Sequence, residues 1–161
     1  MNGPFFLNRE KLRIFNHKST TKMIRKDSKL IEPKLSYEII GIAYTVFKKL
    51  GFGYQEKYYQ RAFEIELKGK DLKYRKENYI DLEYKNQKIG DYFLDFLVED
   101  KIIIELKTGE YFHNKDFSQA KAYLNRTGLK LGILILFGPK GVKFERILNN
   151  KILQRKTANE L

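Results

Sequence analysis

Residues 92–108, YFLDFLVEDKIIIELKT, hold two apolar runs of strand-forming composition, 93–98 and 102–106, with room only for a turn between them. That spacing forces an antiparallel hairpin. Each of its strands carries an acid, Asp95 in the first and Glu105 in the second, where a purely structural strand would hold Val, Ile or Phe. A carboxylate set among apolar side chains costs free energy unless something compensates it. A divalent cation is the usual compensation, because Asp and Glu oxygens are hard ligands for Mg²⁺. Lys107 adds a positive charge two residues beyond Glu105. The segment has the chemistry to hold a metal against a phosphate.

Side chains alternate faces along a strand, so Glu105 and Lys107 point the same way with Leu106 buried behind them. Asp95 reaches their face in only one of two registers. With a two-residue turn flanked by Val98 and Lys101, Asp95 would sit opposite Ile104, and Glu105 would fall on the far side of the sheet. With Glu99, Asp100 and Lys101 as a three-residue loop, Val98 pairs with Ile102 and Asp95 lies opposite Glu105. The second register is expected, because Glu-Asp is a poor pair for the positive φ angles that a type I′ turn requires at both positions.

The chain's 161 residues suit one domain with a substantial core. A formal net charge of +12 favours a polyanionic partner, although lysine-rich surfaces also simply solubilise. The absence of Cys excludes disulfides and thiolate zinc sites, and two histidines, His17 and His113, argue against a His-based metal centre. Any catalytic metal would be held by oxygen. No apolar run reaches the length of a membrane span, and the N-terminus lacks a secretory pattern, so a soluble, cytoplasmic protein is expected.

Residues 1–33 carry eight Lys or Arg against three acids, with Met23 as an internal alternative start. They read as a basic, flexible extension, and in a functional version as a phosphate-binding tail. The folded domain is expected over residues 34–148, followed by a polar tail, 149–161, that frays. Ser36 suits the N-cap of a helix that Gly51 terminates, and a second helix should run from about Gln55 to Lys68 with Tyr59, Phe63 and Leu67 on one face. Glu56 falls on that stripe, aimed inward near the helix N-terminus, where the dipole favours negative charge. A strand containing Ile80, Leu82 and Tyr84, a turn at 85–87, and strands over 88–98 and 101–107 follow as a meander. A helix is expected over 114–127, ended by Gly128, with Gln119 and Tyr123 on one face. The continuous apolar run 131–137 predicts a central strand buried on both sides, and 142–147 a last strand after the turn at 138–141. The helix between strands three and four is long enough for a parallel crossover, which gives a mixed α/β sheet flanked by helices.

The string Gly53-Tyr-Gln-Glu56-Lys-Tyr-Tyr59, then Asp95, the Glu105-Leu-Lys107 triplet, and Gln119 with Tyr123 form an ordered set. In it the chain resembles the GxxExxY proteins, a branch of the PD-(D/E)XK nuclease-like superfamily, from about Ser36 to Ile147. The resemblance implies a restriction-endonuclease-like core and a metal-dependent phosphodiesterase site. It implies Asp95 and Glu105 as principal ligands of Mg²⁺, or of Mn²⁺ as substitute, with the Leu106 carbonyl as a further ligand. Lys107 would orient or help deprotonate the attacking water and offset developing charge. Glu56 would hold a second metal or a bound water, while Gln119 and Tyr123 would hydrogen-bond the water network or the scissile phosphate.

The implied function is a nuclease acting on nucleic acid, DNA ahead of RNA. The competing reading is a noncatalytic nucleic-acid-binding or protein-interaction module on the same fold, in which Asp95, Glu105 and Lys107 form only a cross-strand ion pair. Homodimerisation would suit other superfamily nucleases, but no coiled-coil seam supports it here. Tyr58, Tyr59 and Phe63 read as core, Tyr111 and Phe112 as rings able to stack on an unpaired base, and His113 as a loop or cap residue.

Overall fold

A computed structural model of the chain describes residues 31–158; the basic segment up to residue 30 lies outside the described residues. Helix α1, Pro33–Leu50, begins a turn before the expected Ser36 cap. Proline, with no N–H and a preset φ, suits the first helical position, so the helix starts at Pro33 and the Ser36 N–H already donates to the Glu32 carbonyl at 2.9 Å. Gly51 ends it at φ 72°, a conformation open to glycine. Helix α2, Glu56–Gly69, buries Tyr59, Phe63 and Leu67 completely, as its apolar spacing requires. Tyr58, expected in the core with them, is instead exposed.

Strands β1 (Tyr74–Tyr84) and β2 (Gln87–Val98) form a long hairpin. Its turn is a residue shorter than expected: Lys85 and Asn86 alone make it, both with positive φ, and Gln87 already pairs with Tyr84. Strand β3, Ile102–Thr108, then pairs antiparallel with β2, and Val98 faces Ile102 in the expected register. The argument from backbone angles does not hold, however. Glu99 and Asp100 both adopt φ 52°, and Lys101 is the extra residue that shifts the register. External partners stabilise the turn: Glu99 exchanges two hydrogen bonds with the Lys73 backbone at 2.7 and 2.8 Å, and Asp100 pairs with Arg75 at 2.6 Å.

Helix α3, Asn114–Thr127, spans the predicted residues and ends at Gly128 with φ 73°. His113 caps it, its N–H donating to the Asp116 carboxylate at 2.8 Å. The helix carries the chain back so that β4, Leu131–Gly138, lies parallel to β3, and every residue of β4 is buried. Strand β5, Gly141–Leu148, returns antiparallel to β4 and completes a mixed five-stranded sheet in the order β1-β2-β3-β4-β5.

Phe63 of α2 packs on Phe96, while α3 packs on Leu97 and Ile103, so the two helices cover opposite faces of the sheet. Among the described residues no helix is long and apolar enough to cross a membrane.

Beyond Leu148, in the segment expected to fray, residues Asn150–Ala158 form helix α4. Buried Asn149 anchors its start by donating through Nδ2 to the carbonyls of Leu124 at 2.7 Å and Leu129 at 3.0 Å, closing off the end of α3. Asn149→Ala should therefore destabilise the protein by about 1–3 kcal/mol, because the Leu129 carbonyl loses this donor and the Leu124 carbonyl keeps only the Gly128 N–H. Urea unfolding measures this, and an unchanged midpoint would show that the anchor does not matter.

Candidate active site

The pairing between β2 and β3 runs through Phe96 and Ile104, whereas β3 stays paired with β4 as far as Thr108. Among the described residues no further β2–β3 pair forms beyond Phe96 and Ile104. There the Asp95 side chain, not a strand carbonyl, takes up the Leu106 N–H: Oδ2 accepts it at 2.7 Å. The other oxygen, Oδ1, accepts from Gln60 Nε2 of α2 at 2.7 Å. In an extended strand the N–H and C=O of one residue face the same neighbour, so the Leu106 carbonyl faces this gap as well.

Glu105 is 6 % exposed. Its Oε1 accepts from Lys107 Nζ at 2.6 Å, which shows the two side chains sharing a face as strand alternation requires. Its Oε2 is buried with no hydrogen-bond partner among the described residues. Glu56, in the first turn of α2, approaches Lys107 at 3.7 Å and remains half-buried. Lys107 thus lies between two acids, and Asp95 is held separately by Gln60 and the strand backbone.

Burial, followed by the neighbouring charge of Glu105, pushes the Asp95 carboxyl up to about 7. Burial also raises Glu105, against the opposing pull of Lys107. For Lys107 burial alone would lower the pKa, but Glu105 and then Glu56 hold it above the usual lysine value. A buried and a part-buried carboxylate whose ionisation is resisted, the buried one with an orphaned oxygen, are a donor set that a hard divalent cation would relieve. Among the described residues no three acids or histidines converge as a ready-made metal cluster. The third acid, Glu56, is drawn toward Lys107 rather than toward the pair.

Gln119 and Tyr123 stand apart from the acids. Gln119 donates to the Phe93 carbonyl at 2.6 Å, bracing β2 two residues before Asp95. Tyr123 is buried in an apolar cluster with Leu94, Leu97, Ile103, Leu134 and Ile147, and burial raises its phenol. The sequence motifs do not single out Gln60. Its signal is the spacing from Glu56: four residues on, it shares that residue's side of the helix.

A mixed sheet covered on both faces by helices, with two acids and a lysine where its middle strands part, defines a restriction-endonuclease-like core. The chain belongs to the PD-(D/E)XK nuclease superfamily, whose family description it matches over residues 33–147. No curated protein matches it. Among solved structures it is similar to SSO0001, whose crystal structure aligns with 19 % identity and a TM-score of 0.47 over 76 % of this chain. The chain spans 64 % of that structure's length.

Proposed function

We propose that this protein is a Mg²⁺-dependent nuclease that hydrolyses phosphodiester bonds of nucleic acid, DNA in preference to RNA, and that Mn²⁺ substitutes for Mg²⁺. The observation that supports this reading best is the pair Asp95, part-buried, and Glu105, buried and joined to Lys107, where β2 and β3 part. Asp95, Glu105 and the Leu106 carbonyl would hold the ion, and the ion would supply charge to activate water and neutralise the phosphate. The narrower GxxExxY assignment rests on Gly53, Glu56 and Tyr59.

The protein's own groups divide the remaining work. Gln60 and the Leu106 N–H fix the rotamer of Asp95. Lys107 offers a positive charge beside the reacting phosphate, where it orients water and offsets the charge that grows as the water oxygen bonds to phosphorus and the P–O bond to the leaving alcohol breaks. Glu56 steadies the Lys107 ammonium. Gln119 acts through the backbone of β2, as a positioning residue.

Incubation of labelled single- and double-stranded DNA and RNA with Mg²⁺ or Mn²⁺ tests the reading. Cleavage that EDTA stops and that Glu105→Ala removes is the expected result. If no substrate is cut and calorimetry detects no Glu105-dependent metal binding, the noncatalytic reading replaces it.

A further inference from the structure

The corner between α1 and α2 displays aromatic rings that the core does not use. Phe52, Tyr54 and Tyr58 are 49 %, 50 % and 42 % exposed, although rings of this size normally bury most of their surface. Tyr54 and Tyr58 meet edge to face with centroids 6.5 Å apart, and Tyr54 leans on Tyr59 at 6.3 Å. Tyr59 in turn stacks on Phe137 at the end of β4, which anchors the group to the rigid sheet. Lys57 Nζ and the Arg61 guanidinium lie 5.1 and 5.8 Å from the Tyr58 ring centre. Glu56, beside Lys107, lies two residues before Tyr58 in α2, so the two side chains leave the helix on different sides.

We infer that Phe52, Tyr54 and Tyr58, with Lys57 and Arg61, form a stacking platform that receives unpaired bases on the helix that also carries Glu56, so that the preferred substrate carries a single-stranded segment. The inference rests on the nuclease reading for its position in catalysis, but not for binding itself. Exposed rings interleaved with cations match a single strand, whose bases offer π faces and whose phosphates carry charge. A duplex hides those faces in its stack and presents only phosphates to this surface. The chain's net charge of +12 draws in either form, so the rings are what would discriminate between them. Tyr111, which follows β3, is also exposed and meets His113 edge to face, whereas Phe112 packs against Phe117.

The test measures binding of labelled single-stranded and duplex oligonucleotides by fluorescence anisotropy in EDTA, with full-length protein and the Phe52→Ala/Tyr58→Ala variant. Tyr54 is retained because it supports Tyr59, and thermal unfolding confirms that the variant folds. We expect the variant to bind single strands at least about tenfold more weakly and duplex within about twofold of wild type. Tyr58→Phe should bind as wild type does. Lys57→Gln/Arg61→Gln should weaken both forms and flatten the salt dependence. Equal losses on both forms, no loss on single strands, or wild-type protein that fails to bind single strands would each overturn the platform. The nuclease reading is judged separately by cleavage in Mg²⁺, so a protein that cuts duplex yet shows any of these results retains its activity and loses only the platform.

Discussion

Asp95→Asn is expected to abolish metal-dependent cleavage while making the metal-free protein more resistant to heat at pH 8. Activity should fall at least about a hundredfold, since removing even an outer partner of a metal ligand commonly costs ten- to a hundredfold. The gain in stability follows from the same geometry. Asparagine can still accept from the Leu106 N–H, and the Gln60 amide can turn to accept from its new N–H₂, so both hydrogen bonds survive. What disappears is a part-buried charge that Glu105 and Glu56 repel.

The sign of the pH dependence is set by the upward shift. Folded Asp95 titrates near 7 against an ordinary value of 3.8, so between these limits the folded state binds more protons than the unfolded state. Stability fully present below about pH 4 is lost as the pH rises through 7, by on the order of 2–4 kcal/mol. In EDTA the wild type should therefore melt several degrees lower at pH 8 than at pH 5.5, Mg²⁺ should restore part of the loss, and the variant should show a flatter profile. Differential scanning fluorimetry across pH decides it. A wild type that melts higher at pH 8 without metal would mean that the carboxylates are not strained.

Tyr59→Ala should be strongly destabilising, at about 3–5 kcal/mol, a large part of the 5–15 kcal/mol that holds a typical domain together. The ring is completely buried and stacks on Phe137 at 4.4 Å and 10°, and its hydroxyl donates to the Gly51 carbonyl at 2.6 Å, where α1 ends. One side chain thus ties the end of α1, the start of α2 and the end of β4 together. Tyr59→Phe keeps the stack and loses only the hydrogen bond, and should cost about 1–3 kcal/mol. Urea unfolding of the two variants separates the contributions. If Tyr59→Phe were as damaging as Tyr59→Ala, the hydroxyl and not the ring would be the tie. Because this tie also sets the start of α2, Glu56 should lose its hold on Lys107 in the alanine variant.

The last residue of the Gly53–Tyr59 signature is thus a packing residue, and the first is a backbone one: Gly53 adopts φ 114°, a region that other residues avoid. Of the three, only Glu56 reaches the acid-bearing end of the sheet, through Lys107. The short motif mixes two demands, a corner with fixed backbone geometry and an acid delivered by that corner.

Features set by neighbours in the chain are legible in the amino-acid sequence alone. The span of helix 114–127 follows from its periodicity and Gly128, the buried strand from the unbroken run 131–137, and the pairing of Val98 with Ile102 from the length of the intervening loop. The loop's own angles are not, because the Lys73 backbone and Arg75, more than twenty residues away, stabilise a conformation that Glu99 and Asp100 alone disfavour. Nor does the sequence reveal Gln60 as the partner of Asp95, or Asn149 as the anchor of a last helix. Periodicity and turn chemistry act over a few residues, whereas a hydrogen bond across 35 positions exists only once α2 has packed against the sheet, and that packing decides which polar side chains reach the acids and which are buried away from them.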